Sequence, residues 1–158
     1  MLKTNNFHIS LNSTQTVKTV AFKVKAHTQL NLKVTGSFKE PKMYEYIFPI
    51  LLQGPYSAVN IEGKFFVCGG SQLKLVFSAS DTLKAKASSV NLSLKGLVFD
   101  KNSRILVDQK ISLSHKDSHL RHSLAFGSLS QEVLNYLDSR GVDNHWLKAY
   151  LEKNYVKI

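Results

Sequence analysis

From Phe7 to Leu113 apolar and polar residues alternate with a period of two, and from Ser128 onward that period gives way to helical spacing. A chain patterned this way builds strands first and helices last. Phe7, Ile9 and Leu11 form the first apolar row; Val20, Phe22, Val24 and Ala26 the second; Leu30, Leu32 and Val34 the third. Ala26 to Gln29 reads as a hairpin connection, and residues 36–43 as a loop. Tyr44 to Gln53 is apolar but contains Pro49, which suits an edge strand or a bulge. Further strands fall at 64–68, closed by the turn Gly69-Gly70, then at 72–79, 84–95, 97–99, 105–107 and 111–113. No internal repeat stands out.

Residues 114–127 read as a linker, and 128–158 as two helices on a single domain. Ser128 and Gln131 have capping-box spacing. Leu129, Val133, Leu134, Tyr136 and Leu137 give the first helix an apolar stripe, and Gly141 is suited to end it in a left-handed conformation. Asp143 caps the second helix, whose apolar face is Trp146, Leu147, Tyr150 and Leu151. Helices this short need a surface to lie on. Leu134, Leu137, Gly141, Trp146, Leu147, Tyr150 and Leu151 are therefore expected to carry packing and assembly. Strands followed by helices imply an α+β fold. The expectation is a twisted antiparallel sheet of about seven strands with both helices on its apolar face.

The other sheet face is expected to display Lys23, Lys25, Lys33, Lys74 and Lys95, a candidate contact for RNA or an acidic partner. The chain carries 21 Lys and Arg against 11 Asp and Glu, a net charge of +10 that suits a polyanionic neighbour. A single cysteine, Cys68, excludes an internal disulfide and a CxxC metal site. His115, His119 and His122 would share one face if helical, but Lys116 and Arg121 oppose a cation there, so no metal ligands are assigned. No nucleophile, acid–base pair or phosphate loop is apparent. The expectation is no catalytic residues, no cofactor and no enzymatic activity.

Tyr136-Leu137-Asp138-Ser139-Arg140-Gly141-Val142-Asp143, followed by Leu147 and Leu151, resembles the C-terminus of the mitochondrial glycoprotein family of matrix acidic proteins. Leu75 to Asp81 is similar to that family's strand of the type LVF–x–(C/A)–(T/S)–x–D, and Lys64 to Cys68 to the strand before it. The resemblance implies a doughnut-shaped trimer in the mitochondrial matrix and a non-catalytic binding role. It departs from the family in lacking a long N-terminal helix and in being basic. Together these imply a scaffold subunit of a mitochondrial ribosome or related ribonucleoprotein, paired with paralogous subunits in a homo- or heterotrimer. The alternatives are an accessory subunit of a respiratory-chain or ATP-synthase complex, and a free RNA-binding or RNA-processing factor.

Overall fold

The computed structural model describes residues 2–12 and 14–156. The strands are β1 (Lys3–Leu11), β2 (Val17–Thr19), β3 (Phe22–Val24), β4 (Thr28–Phe38), β5 (Met43–Leu52), β6 (Ala58–Val67), β7 (Gln72–Asp81), β8 (Ser89–Val98), β9 (Arg104–Ser112) and β10 (His119–Ser128). Two helices follow, α1 (Gln131–Ser139) and α2 (Asn144–Val156). Successive long strands alternate between two sheets. Sheet A runs β1-β4-β6-β8-β10 and sheet B runs β2-β5-β7-β9, with β3 also paired to β5. Every pairing is parallel. The chain is a two-sheeted β-solenoid, not the antiparallel sheet expected from its alternation.

The error has a physical cause. A period of two says that a strand has one buried and one exposed face, and it is blind to the direction of the neighbouring strand. The difference lies in the connections. What reads as hairpin turns are corners that carry the chain from one sheet to the other. His27, Tyr56 and Ala87 take left-handed backbone conformations at equivalent corners before β4, β6 and β8. Gly69 and Gly70, with φ of 67° and 77°, turn the chain from β6 to β7. Corner serines recur as well. Ser57, Ser71 and Ser88 are buried directly before β6, β7 and β8, and each hydroxyl donates to the carbonyl three residues earlier.

Both apolar faces point inward, and they pack against each other. Sheet A supplies Leu30, Leu32, Val34, Val59, Ile61, Phe65, Val90, Leu92 and Leu94; sheet B supplies Tyr44, Tyr46, Phe48, Ile50, Leu52, Leu73, Leu75 and Phe77. Side-chain size alternates from coil to coil in one row, Leu11, Gly36, Phe65, Gly96 and Phe126. A Cβ on Gly96 would lie 2.5 Å from both Ile105 Cδ1 and Phe126 Cδ1, so the small residue leaves room for its large neighbours. Pro49 lies inside β5, where its lost N–H is tolerated because the strand alongside is interrupted: β2 ends opposite Ile47 and β3 starts opposite Ile50.

The outer face of sheet A carries a ladder of asparagines in register on β1, β4, β6 and β8. Asn31 Nδ2 donates to Asn6 Oδ1 at 2.9 Å, Asn60 Nδ2 to Asn31 Oδ1 at 2.9 Å, and Asn91 Nδ2 to Asn60 Oδ1 at 2.7 Å. The next position, on β10, is Arg121.

Residues expected to form a linker include β10, a full strand paired to β8. The first helix consequently starts later than the capping box suggested. Ser128 closes β10, and Ser130 is the N-cap, its hydroxyl accepting from Val133 N at 3.3 Å. Asp143 does cap α2, with Oδ1 accepting from His145 N at 2.8 Å. Gly141 has φ of 77°, the left-handed helix end expected of it.

The helices do not cover an open apolar sheet face, because the solenoid has none along its length. Leu134, Leu147 and Leu151, with Leu129 and Val156, pack on a separate cluster of Phe66, Cys68 and Phe99. Phe66 alternates with the inward Phe65 and points outward, so α2 lies on the outside of sheet A. Glu152 fixes it there: it accepts from the Ser37 hydroxyl at 2.7 Å and pairs with Lys39 at 2.7 Å.

Candidate interaction site: the open end of the solenoid

A solenoid buries its core by stacking coils, so its last coil needs a cap. At the C-terminal end the last strands are β9 in sheet B and β10 in sheet A. Neither has a further neighbour among the described residues. All ten residues of β10 are exposed. Its inward row continues that of β8: Leu120 lies beside Val90, His122 beside Leu92, Leu124 beside Leu94 and Phe126 beside Gly96. Leu120, Leu124 and Phe126 are 43%, 42% and 40% exposed. Opposite them, Ile105, Val107, Ile111 and Leu113 from β9 and its exit are only partly buried. The chain then leaves the solenoid, and α2 packs back against β4 and β6. The end therefore combines an apolar surface with a ten-residue strand whose outer backbone N–H and C=O groups face solvent.

The residues picked from sequence for assembly fall into two groups. Leu134, Leu147 and Leu151 pack against Phe66, Cys68 and Phe99, and Leu137 is half-buried. Trp146 and Tyr150, expected on the buried face of α2, are 57% and 51% exposed. They stack on each other with ring centroids 5.1 Å apart. Tyr136 is also exposed, with the Arg140 guanidinium 5.5 Å above its ring. Helix registry explains the correction: Leu147 and Leu151 form one i, i+4 pair, and Trp146 and Tyr150 form the next pair round the helix. Only the first faces the sheet.

The five lysines expected on one face are divided between two sheets. Lys33 and Lys95 lie on the outer face of sheet A, Lys23 and Lys74 on sheet B, and Lys25 at the corner between β3 and β4. Lys74 is also engaged, its Nζ 2.7 Å from Glu45 Oε1. The hydrogen bond and charge of Glu45 hold it above the ordinary lysine range. The three histidines are not on a helix. His115 lies in the turn before β10, His119 faces outward, and His122 faces inward. No group of three His, Cys, Asp or Glu able to hold a metal occurs among the described residues. Cys68 is buried beneath α2, and that burial pushes its thiol up, with Lys148 opposing the shift.

The apolar row of β10 falls within residues 114–127, which the sequence reading assigns to a linker. The signal was present in the sequence: Leu120, His122, Leu124 and Phe126 alternate with Arg121, Ser123 and Ala125. No protein-family model matches this chain, and neither does any curated protein.

Proposed function

We propose that this chain is a non-catalytic assembly subunit whose open solenoid end is completed by the edge strand of a partner subunit. One observation carries the reading: β10 presents Leu120, Leu124 and Phe126 together with a free strand edge. Apolar side chains at 40–43% exposure in one row, beside unpaired backbone groups, fit strand addition. Backbone hydrogen bonds would extend sheet A, and Phe126 would supply the aromatic anchor. The charge narrows the partner. Two chains at +10 repel, so a paralogous solenoid of acidic composition fits better than an identical copy. Of the functional expectations from sequence, this keeps the scaffold role and the paralogous partner. It leaves aside the doughnut trimer, which required an antiparallel sheet.

The test is native mass spectrometry of the endogenous assembly, with and without Leu124→Asp. The expected result is a defined complex for the natural chain and a free chain for the variant. Because Leu124 is part-exposed in the isolated chain, thermal unfolding of the free variant should shift little. Incorporation of Leu124→Asp at the natural level would sink the proposal.

A further inference from the structure

We propose that the opposite, N-terminal end of the solenoid seats a second subunit, one whose facing strands carry carboxylates. The first coil is β1 in sheet A and β2 with β3 in sheet B, and none of the three has a further neighbour among the described residues. The inward row of β1 includes Asn5, Phe7, Ile9 and Leu11, beside Leu30, Leu32, Val34 and Gly36. That of β2 and β3 is Lys18, Phe22 and Val24, beside Tyr46, Ile50 and Leu52. Phe7 is 50% exposed, and its ring meets Phe22 edge-on with centroids 5.9 Å apart. A cleft of about 290 Å³ opens beside them, lined also by Asn5, Val24 and Leu30. An apolar centre and a nine-residue strand edge suit a protein chain that adds a coil. A nucleic acid has no strand to pair with β1.

The charges at this end select the partner. Residues 1–39 hold Lys3, Lys18, Lys23, Lys25, Lys33 and Lys39, with no Asp or Glu. Lys3, Lys18, Lys23 and Lys25 form no ion pair among the described residues. Lys18 is decisive because of its row. It stands in register with Tyr46, Leu75 and Val107, all on the inward face of sheet B. A subunit stacked here would cover Lys18, and an ammonium covered without a counter-charge is costly.

A second copy of this chain supplies no such counter-charge. Stacked head to tail in the same register, it would set Val107 on Lys18 and His122 on Phe7, and the inward rows of β9 and β10 hold no Asp or Glu. Two N-terminal ends face to face would set lysines against lysines. The partner that fits carries Asp or Glu opposite Lys18. The asparagine ladder makes a second demand. Each ladder amide donates to the strand before it; Asn6, first in the row, accepts from Asn31, and its Nδ2 bonds no described residue. Asn6 therefore offers an N–H to an acceptor oxygen on the added strand. This contact is the weaker of the two ends, because ammonium groups lose water as it closes. It rests on the β10 reading: it closes an assembly that β10 has begun, so the second encounter is intramolecular.

The experiment treats the endogenous assembly with a carbodiimide, which joins a lysine amine to a touching carboxylate as an amide, and maps the joined residues by mass spectrometry. Lys74 and Glu45, 2.7 Å apart, are the internal control. Lys18 is expected to join an Asp or Glu of a different chain. In native mass spectrometry, Lys18→Met should lower the occupancy of that chain about tenfold, and Lys18→Arg should keep it. Both variants should retain the subunit held by β10, whereas Leu124→Asp should lose both subunits. Circular dichroism of each variant checks that the solenoid is intact. The proposal is overturned if Lys18 joins nothing while Lys74 joins Glu45, if Lys18 joins a second copy of this chain, or if Lys18→Met leaves the occupancy unchanged. Release of the Lys18 neighbour by ribonuclease also overturns it, since nucleic acid would then be the link. If Leu124→Asp keeps both subunits, the β10 reading fails, and the Lys18 cross-link still decides this one.

Discussion

Tyr44 and Tyr46 lie two residues apart on β5, both buried to within 1% of full burial, yet only one hydroxyl has a partner. Tyr46 donates to the carbonyl of Asn12 at 2.6 Å and also lies 3.2 Å from that of Gln15. The Tyr44 hydroxyl is buried without a hydrogen bond. Removing an unpaired buried hydroxyl relieves a desolvation cost, and removing a paired one strands its acceptor. Tyr44→Phe should therefore be neutral or stabilising by up to about 1 kcal/mol, and Tyr46→Phe destabilising by about 1 kcal/mol. Urea unfolding of the two single variants gives the comparison. Equal losses in both would contradict it.

The same residues make the fold sensitive to alkali. Burial raises the Tyr44 and Tyr46 phenols above their ordinary value of 10.0 and the Cys68 thiol above 9.0. In each the folded state favours the neutral form. Their contribution is complete below the ordinary values and is lost as pH rises through the folded ones. The urea midpoint should hold from about pH 7 to pH 8.5 and fall by about pH 10.5. The combined variant Tyr44→Phe, Tyr46→Phe, Cys68→Ala should lose less over that interval. A midpoint indifferent to alkali in the natural chain would refute the assignment.

The asparagine ladder predicts a position effect. Asn60 has a ladder partner on each side, and Asn91 has one, on β6. Asn60→Ala removes both bonds and should cost about 1–2 kcal/mol, roughly twice the loss for Asn91→Ala. Equilibrium unfolding of the two variants tests the ratio. Equal costs would mean that the ladder contributes little.

Gly141 separates backbone strain from crowding. A Cβ there would meet no atom within 4 Å, but φ is 77°. Gly141→Val should cost more than about 1 kcal/mol through strain alone, whereas Gly141→Asn should be tolerated. The damage should be confined to α1 and α2, read as faster amide exchange there with the strands unchanged. Matching exchange in Val and Asn variants would place the constraint elsewhere.

Much of the strand pattern was legible because inward-facing residues alternate whatever the direction of the neighbouring strand. The solenoid itself was not, since only long-range spacing records it. That spacing is present: Asn31, Asn60 and Asn91 stand in register 29 and 31 residues apart, and Lys64 and Lys95 share the second interval. The eye passes over such a repeat because polar residues on an outer face vary freely and the core positions conserve size only in alternation, as in Gly36, Phe65 and Gly96. The candidate site was less legible still. Leu120, Leu124 and Phe126 gain meaning only once β10 is known to be the last strand of its sheet, which is a property of topology.

The parallel coils also bear on how the chain reaches its native state. Each strand of sheet A pairs with another about thirty residues away, so no pairing forms without closing a large loop. Folding is expected to be slow for this length, limited by the first two coils to stack, after which each further coil adds to a template already in place. The nearest competing state is a shift by one whole coil, which keeps apolar residues inward. The large and small residues along the row from Leu11 to Phe126 oppose that shift, because a displaced coil would set phenylalanine on phenylalanine and leave glycine facing a void.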